Sequence, residues 1–320
     1  MSDPARAGGP VVALCGGVGG AKLADGLARV MCAEDLLVIV NTADDFRHLG
    51  LWISPDIDSV LYALAGLSDP QRGWGRRDES WNFMAALRAL HGPDWFQLGD
   101  ADLAMHVERT RRLAAGESLG GVTDALRRAL GIAARVVPMS DDPVSTRLLT
   151  DAGWLEFQSY FVRHRCRPCV QRIEFAGAAQ ARAHPAALES LHAGELRAVV
   201  ICPSNPFVSI EPILALPQLR AALQACAAPV VAVTPIIGGQ AIKGPAAKML
   251  RELGCEVGGA GVARRYAGLI DAFVIDQADE LPAAIDGVVL HRAATLMLGA
   301  AQREQLAREV LALADSLRGA

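Results

Sequence analysis

The sequence predicts an α/β protein of Rossmann-like design, with a mainly parallel sheet, helices on both faces, a helical insertion and a small β insertion. Three observations carry this. The apolar run Val11–Cys15, a glycine-rich turn and a helical pattern over residues 23–31 lead at once into a second apolar run, Leu36–Val40. That is a βαβ unit, whose right-handed crossover implies parallel strands. Further short apolar runs at 198–202, Val230–Val233 and 273–275 alternate with helical stretches at 218–227 and 245–253. Finally, polar, turn-rich motifs follow these runs, where open α/β sheets bind ligands.

Other segments complete the expectation. Residues 59–150 read as mainly helical, with helices over 84–90, 101–115 and 122–130. Residues 154–162 and 170–175, rich in aromatic and β-branched side chains, read as an inserted antiparallel pair. A long amphipathic helix is expected over 293–317. No repeat or linker breaks the chain, so residues 1–320 are read as one interleaved domain.

Composition narrows the function. Thirty-one basic and 35 acidic residues give a formal charge of −4, which argues against a nucleic-acid-binding surface. No apolar run reaches the roughly 18–20 residues of a membrane span. The first ten residues lack the apolar core of a secretory signal. Seven scattered cysteines suit reduced thiols, so a cytoplasmic protein is expected. Cys166 and Cys169 form a single CxxC without a second pair, which argues against structural zinc.

The motifs point to anionic ligands and a cation. Gly16, Gly17, Gly19 and Gly20, followed by Lys22, sit between the first strand and its helix. Backbone can approach a phosphate closely there, and the helix start offers free N–H groups. The motif lacks the Gly-Lys-Ser/Thr ending of a Walker loop and the third glycine of GxGxxG. After the second strand, Asn41, Asp44 and Asp45 precede Asp56 and Asp58, a concentration of hard oxygen donors that suits Mg²⁺. The plainer reading makes these aspartates turn and cap residues.

Asp100 and His106 lie near a helix start, where Asp102 and His106 share a face at i, i+4. With Arg109 and Arg112 they face an anionic substrate in this reading. Ser140, Asp141 and Asp142 crowd one turn, suited to a base, a ribose or metal-bound water, or else to a capped turn. Ser204 and Asn205 follow a buried strand as a ribose or phosphate clamp, and Lys243 precedes a Gly-Pro helix opening.

Taken in order, the strings GGVGGAK, NTADDFRHLGLWISPDIDSVLY, DPQRGWGRRDESW, PDWFQLGDADLAMH, MSDDPVST, PSNPFVSI and TPIIGG–KGPAAKM resemble the CofD/FbiA family. These are the 2-phospho-L-lactate transferases of coenzyme F-420 biosynthesis and their phosphoenolpyruvate-using bacterial relatives. The resemblance spans residues 11 to about 280. It implies that a ribityl hydroxyl of the deazaflavin Fo attacks the phosphorus of an acid–diphospho–guanosine donor, releasing GMP with Mg²⁺ as cofactor. On that reading Asp45 and Asp58 hold the metal or orient the hydroxyl, supported by Asp44 and Asp56. The glycine loop, Lys243, Ser204 and Asn205 cradle the donor, and loops around Trp74 and Trp95 cover the flat ring. Gln97 stands where archaeal relatives carry a lysine. The segments GWGRRDESW and PDWFQLGD look closer to the bacterial branch, with the three-carbon acid open among phospholactate, phosphoenolpyruvate and 3-phosphoglycerate types. A homodimer is implied by the resemblance alone. The alternative on the same fold is a non-catalytic nucleotide-sugar-binding regulator of the YvcK type.

Overall fold

The computed structural model describes residues 8–318. Residues 1–7, which hold most of the segment judged not to be a signal, and residues 319–320 lie outside the described residues. In chain order the elements are β1 (Val11–Cys15), α1 (Gly17–Val30), β2 (Leu36–Val40), β3 (Phe46–His48), β4 (Leu51–Ile53) and α2 (Pro55–Leu64). Next come α3 (Asn82–Ala89), α4 (Asp100–Ala114), α5 (Leu119–Ala129), β5 (Arg135–Pro138), β6 (Ser145–Thr150), β7 (Gly153–Glu156) and β8 (Val170–Ala176). The remainder comprises α6 (Pro185–Leu191), β9 (Ala198–Ile201), α7 (Glu211–Leu214), α8 (Pro217–Gln224), β10 (Val230–Val233), β11 (Ile236–Ile237), β12 (Gln240–Ala241), α9 (Ala246–Glu252), α10 (Gly259–Arg265), β13 (Ala272–Asp276), β14 (Val289–Ala293) and α11 (Ala300–Arg318).

The main sheet has seven parallel strands in the order β14-β13-β10-β9-β1-β2-β5. Side chains alternate across its two faces, and each face is buried. Val12, Leu14, Leu37, Ile39, Val199 and Ile201 enter one apolar layer with α6 and α8. Val11, Ala13, Cys15, Val38, Val40 and Val200 enter the other with α1, α2, α5 and α11. This double burial explains why the central strands read as unbroken apolar runs.

The structure corrects several boundaries. Residues 17–22 of the expected glycine loop form the first turns of α1, so only Gly16 remains as the turn. The region taken as a helical insertion also supplies β5, an edge strand of the main sheet, and β6. The β insertion has three strands in the order β7-β6-β8, and a short π-helical turn, Ser159–Arg163, replaces strand after Glu156. The C-terminal helix begins at Ala300, because residues 289–293 pair with β13 as the opposite edge strand.

Strand order reverses between β1, which continues outward to β2, and β9, which continues outward to β10. A crevice opens at the carboxyl ends of these two strands, the switch point where such sheets bind ligands.

Candidate functional site

The crevice holds a cleft of about 660 Å³, within the range of small-molecule sites. Its floor comes from residues 16–19 after β1, Asp44 after β2, Asp56 and Asp58 on α2, and residues 203–205 after β9.

Asp56 ties these pieces together. Its Oδ1 accepts the Gly17 amide at 2.8 Å, and its Oδ2 accepts Asn41 Nδ2 at 2.9 Å. Asn41 also donates to the Val208 carbonyl at 3.1 Å. The Gly16 amide donates to Ser204 Oγ at 3.2 Å, which joins β1 to the β9 loop. Burial lifts the Asp56 carboxyl to about 6, although the Asn41 and Gly17 bonds pull it down.

The glycines do different jobs. Gly17 has φ +63°, a conformation that glycine adopts without a Cβ penalty. A Cβ on Gly19 would lie 2.4 Å from the Pro203 carbonyl oxygen, and one on Gly20 would lie 2.4 Å from Ser204 Oγ. These two glycines therefore let α1 press against the β9 loop. Because the first N–H groups of a helix have no intrahelical acceptor, the amides of Val18 and Gly19 remain available at this end of the cleft.

Buried acidic groups gather beside this loop. Asp44 is pushed well above the ordinary carboxylate range by burial and by the charge of Asp56. Burial raises Asp45 to about 8, against bonds from Ser54 and Trp52 and the charge of Arg109. Asp45 Oδ2 accepts from Ser54 Oγ at 2.6 Å and from Trp52 Nε1 at 3.1 Å, whereas the buried Oδ1 atoms of Asp44 and Asp45 have no partner. Trp52 and Ser54 are held there by the β3–β4 hairpin, whose two-residue loop, Leu49 (φ +53°) and Gly50 (φ +77°), is of the primed kind that suits twisted strands.

Asp58 meets Arg109, which is fully buried. The guanidinium grips both carboxylate oxygens, with Nη1 at 3.1 Å from Oδ2 and Nη2 closer still to Oδ1. Nη1 also reaches His106 Nδ1 at 3.2 Å. Since arginine only donates, this contact makes Nδ1 the acceptor and leaves the proton on Nε2, which lies 3.3 Å from Asp102 Oδ2. Burial pushes Asp102 up, but the bond and charge of His106 and the Tyr62 hydroxyl together hold it below the ordinary range.

Cations and aromatic groups complete the lining and the rim. Lys22, Arg72 and Lys243 line the cleft. Lys22 Nζ donates to the Met297 carbonyl at 2.8 Å, and burial together with nearby Arg303 and Lys243 lowers its pKa. Lys243 Nζ bonds the Gly73 carbonyl, closing residues 69–76 over one side. Trp74, Phe161, Ile242 and Leu296 line the mouth and are exposed. Trp95 packs instead against Phe46, His48 and Phe96. Gln97 lines the cleft while donating to the Asp94 carbonyl and accepting from Arg88.

The structure thus brings Gly16, Gly17, Gly19, Lys22, Asp44, Asp56, Asp58, Gln97, His106, Ser204, Asn205 and Lys243 to one cleft. Asn41 and Gly20 support it from behind. Five expected residues lie elsewhere. Asp45, expected to hold the metal, does not line the cleft, because its Oδ2 is turned to Ser54 and Trp52. Asp100 accepts from Ser80, Asn82 and Phe83, capping the start of α3. Asp141 caps α5 through the Gly120 amide, and Asp142 pairs with Arg182. Ser140 donates to the Arg182 carbonyl and accepts the Asp142 amide. In each of these last four cases the side chain serves a cap or a turn, because short polar side chains satisfy backbone groups that helix ends leave open. Nor does Arg112 face a substrate, since it pairs with Glu108 and Glu117.

Tyr62 was the omission from the expected site residues, and Arg109 was read as facing a substrate rather than gripping Asp58. The signal for Arg109 was present, because Asp102, His106 and Arg109 recur at i, i+4 and i+7 along one stripe of α4.

The residues fit a divalent cation. Two buried carboxylate oxygens lack partners, the donors are hard, and burial alone leaves Asp44, Asp45 and Asp56 reluctant to ionise. Arg109 uses one lone pair on each Asp58 oxygen, and a carboxylate has about four such positions. Among the described residues, Asp58, Asp102 and His106 form the one group of three side chains spaced for a metal, with the Arg109 cation already in contact.

Comparison with known proteins adds an independent line. A family model described as 2-phospho-L-lactate transferase CofD matches residues 11–311. A phosphoenolpyruvate transferase of Kitasatospora aureofaciens is 41% identical over 318 residues, covering 96% of this chain and 98% of the relative. A 2-phospho-L-lactate transferase of Methanosarcina mazei is 38% identical, covering 94% and 99%. A crystal structure of a UPF0052-family protein from Bacillus halodurans matches with a TM-score of 0.62 at 14% identity, over 95% of this chain and 99% of that one, which shows a shared fold.

Proposed function

This chain belongs to the CofD family of 2-phospho-L-lactate transferases, and on that premise we propose how its cleft works. It is a CofD-type transferase of F-420 biosynthesis. The acceptor in our reading is the deazaflavin Fo, and the donor is a three-carbon acid joined through a diphosphate to guanosine. The observation that carries the reading is the switch-point cleft itself, whose lining combines the start of α1, Lys22 and Lys243 with Asp44, Asp56 and Asp58.

The chemistry follows from that combination. Phosphoryl transfer needs alignment and charge neutralisation more than covalent catalysis. The amides of Val18 and Gly19, with Lys22 and Lys243, hold the diphosphate; Ser204 and Asn205 flank it. Asp58 accepts a hydrogen bond from the ribityl hydroxyl and aims its oxygen at the acid-bearing phosphorus. The new oxygen–phosphorus bond forms as the bond to the GMP phosphate oxygen breaks, and that oxygen keeps the electron pair. The hydroxyl proton leaves through Asp58 to solvent. Trp74 and the apolar rim cover the flat ring. Asp58, with Asp102 and His106 beside it, would hold Mg²⁺, which would supply charge neutralisation on the donor.

Phosphoenolpyruvate and phospholactate donors both remain within the chemistry of this cleft. We further propose a cytoplasmic homodimer. A YvcK-type regulator is not favoured, because the similar full-length proteins named above are transferases. The test is to incubate the protein with Fo, Mg²⁺ and each guanosine diphospho-acid in turn. Release of GMP with formation of the Fo conjugate, read by mass spectrometry, is expected from at least one donor. No release from any of the three would refute the reading.

A further inference from the structure

We infer that Arg109 is a positioning residue for transfer: it fixes the Asp58 carboxylate so that its remaining lone pairs face the acceptor hydroxyl. The inference rests on the transferase reading above and deepens it. Arg109 is the largest fully buried side chain in the described structure and does not line the cleft. It therefore acts on a bound molecule only through the groups it touches. Those are Asp58, gripped at both oxygens, and His106 Nδ1 at 3.2 Å.

A buried guanidinium loses its hydration, and pairing restores it only when geometry is good. An ordinary α4–α2 fastening would be served as well by apolar packing. Here the fork instead fixes a carboxylate in a plane, which an ammonium cannot do. The fork is itself held. His106 accepts from Nη1, turns Nε2 toward Asp102 at 3.3 Å, and Asp102 takes the Tyr62 hydroxyl. The chain Asp58–Arg109–His106–Asp102–Tyr62 thus crosses between α2 and α4. Four of its five members, Asp58, His106, Asp102 and Tyr62, reach the cleft wall. Two carboxylate oxygens so restrained leave the hydroxyl one direction of approach, which is the orientation that transfer requires.

Three variants test this: Arg109→Lys, Arg109→Gln and the double variant Asp58→Asn/Arg109→Gln. Single-turnover GMP release is measured beside thermal unfolding without metal. Arg109→Gln is expected to lower kcat about 100-fold while both KM values change by no more than about threefold. Arg109→Lys keeps the charge, loses the fork, and should recover no more than about a tenth of the wild-type rate. The double variant should be no slower than Asp58→Asn alone, because Arg109 works through that carboxylate. It should also unfold at a higher temperature than Arg109→Gln, which buries a carboxylate without its partner. Where Arg109→Gln fails to fold, Arg109→Lys carries the test. Full activity in Arg109→Lys, or losses that multiply in the double variant, would overturn the inference while leaving the transferase reading intact. Wild-type protein that releases no GMP from any donor would overturn both.

Discussion

Replacing Gly19 by alanine tests whether the α1–β9 contact sets the donor site. The added Cβ would lie 2.4 Å from the Pro203 carbonyl oxygen, where ordinary contact begins at 3.4 Å. The two segments must therefore part by about 1 Å, because a main-chain oxygen has no rotamer by which to escape. Overpacking of this kind costs about 1–3 kcal/mol. At about 2.1 cal/mol/K per residue, a chain of this length loses about 1.5 °C per kcal/mol, so Tm should fall by about 1.5–4.5 °C. Activity should suffer more, since a 1 Å misplacement of reacting groups costs about 100-fold. Gly194→Ala is the control: nothing lies within 4 Å of its Cβ position and its φ is ordinary. GMP release and thermal unfolding are measured on both. A Gly19→Ala protein with Tm and kcat/KM equal to those of the control would refute the close-approach argument.

Acid pH should stabilise the metal-free protein. Asp44, Asp45 and Asp56 have folded-state values above their unfolded ones, so between about pH 4 and pH 8 the unfolded chain binds fewer protons. Stability then falls as pH rises through that window. Tm at pH 5 should exceed Tm at pH 8, and Mg²⁺ should narrow the gap at pH 8; a flat profile would contradict the buried-acid account. EDTA should stop GMP release and Mg²⁺ restore it, and chelator-resistant turnover would remove the ion from the mechanism. Asp142→Asn should leave kcat within about twofold of wild type in the GMP assay, as expected for a half-buried ion-pair residue outside the cleft.

Much of the fold was legible because both faces of the sheet are buried. Leu36–Val40 and Val230–Val233 are unbroken apolar runs, and the structure places them at those boundaries. The edge strands were not legible. β14 reads VLHRA with only Ala293 buried, and β5 has just four residues beside a helical stretch. The glycine motif gave its location but hid its division of labour. Gly19 and Gly20 face backbone and side chain from residues 203–204, a contact that sequence spacing does not reveal. Asp100, Ser140, Asp141 and Asp142 misled because capping and ligand binding recruit the same side chains. Arg109 was read with Arg112 as facing a substrate: within ERTRR it resembles its exposed neighbour Arg111, and the sequence does not show that it is buried and pairs with Asp58.

The Gly16–Ser204 bond joins residues 188 positions apart. During synthesis β1 and β2 emerge early, while β9 leaves the ribosome only after nearly two-thirds of the polypeptide has been made. Until then the flank of β1 destined for β9 stays unpaired in a strand composed wholly of apolar residues, a surface prone to self-association. Non-local pairing of this kind also slows folding. Nascent chains stalled before residue 198 should therefore recruit chaperones, and release past β10 should end that dependence.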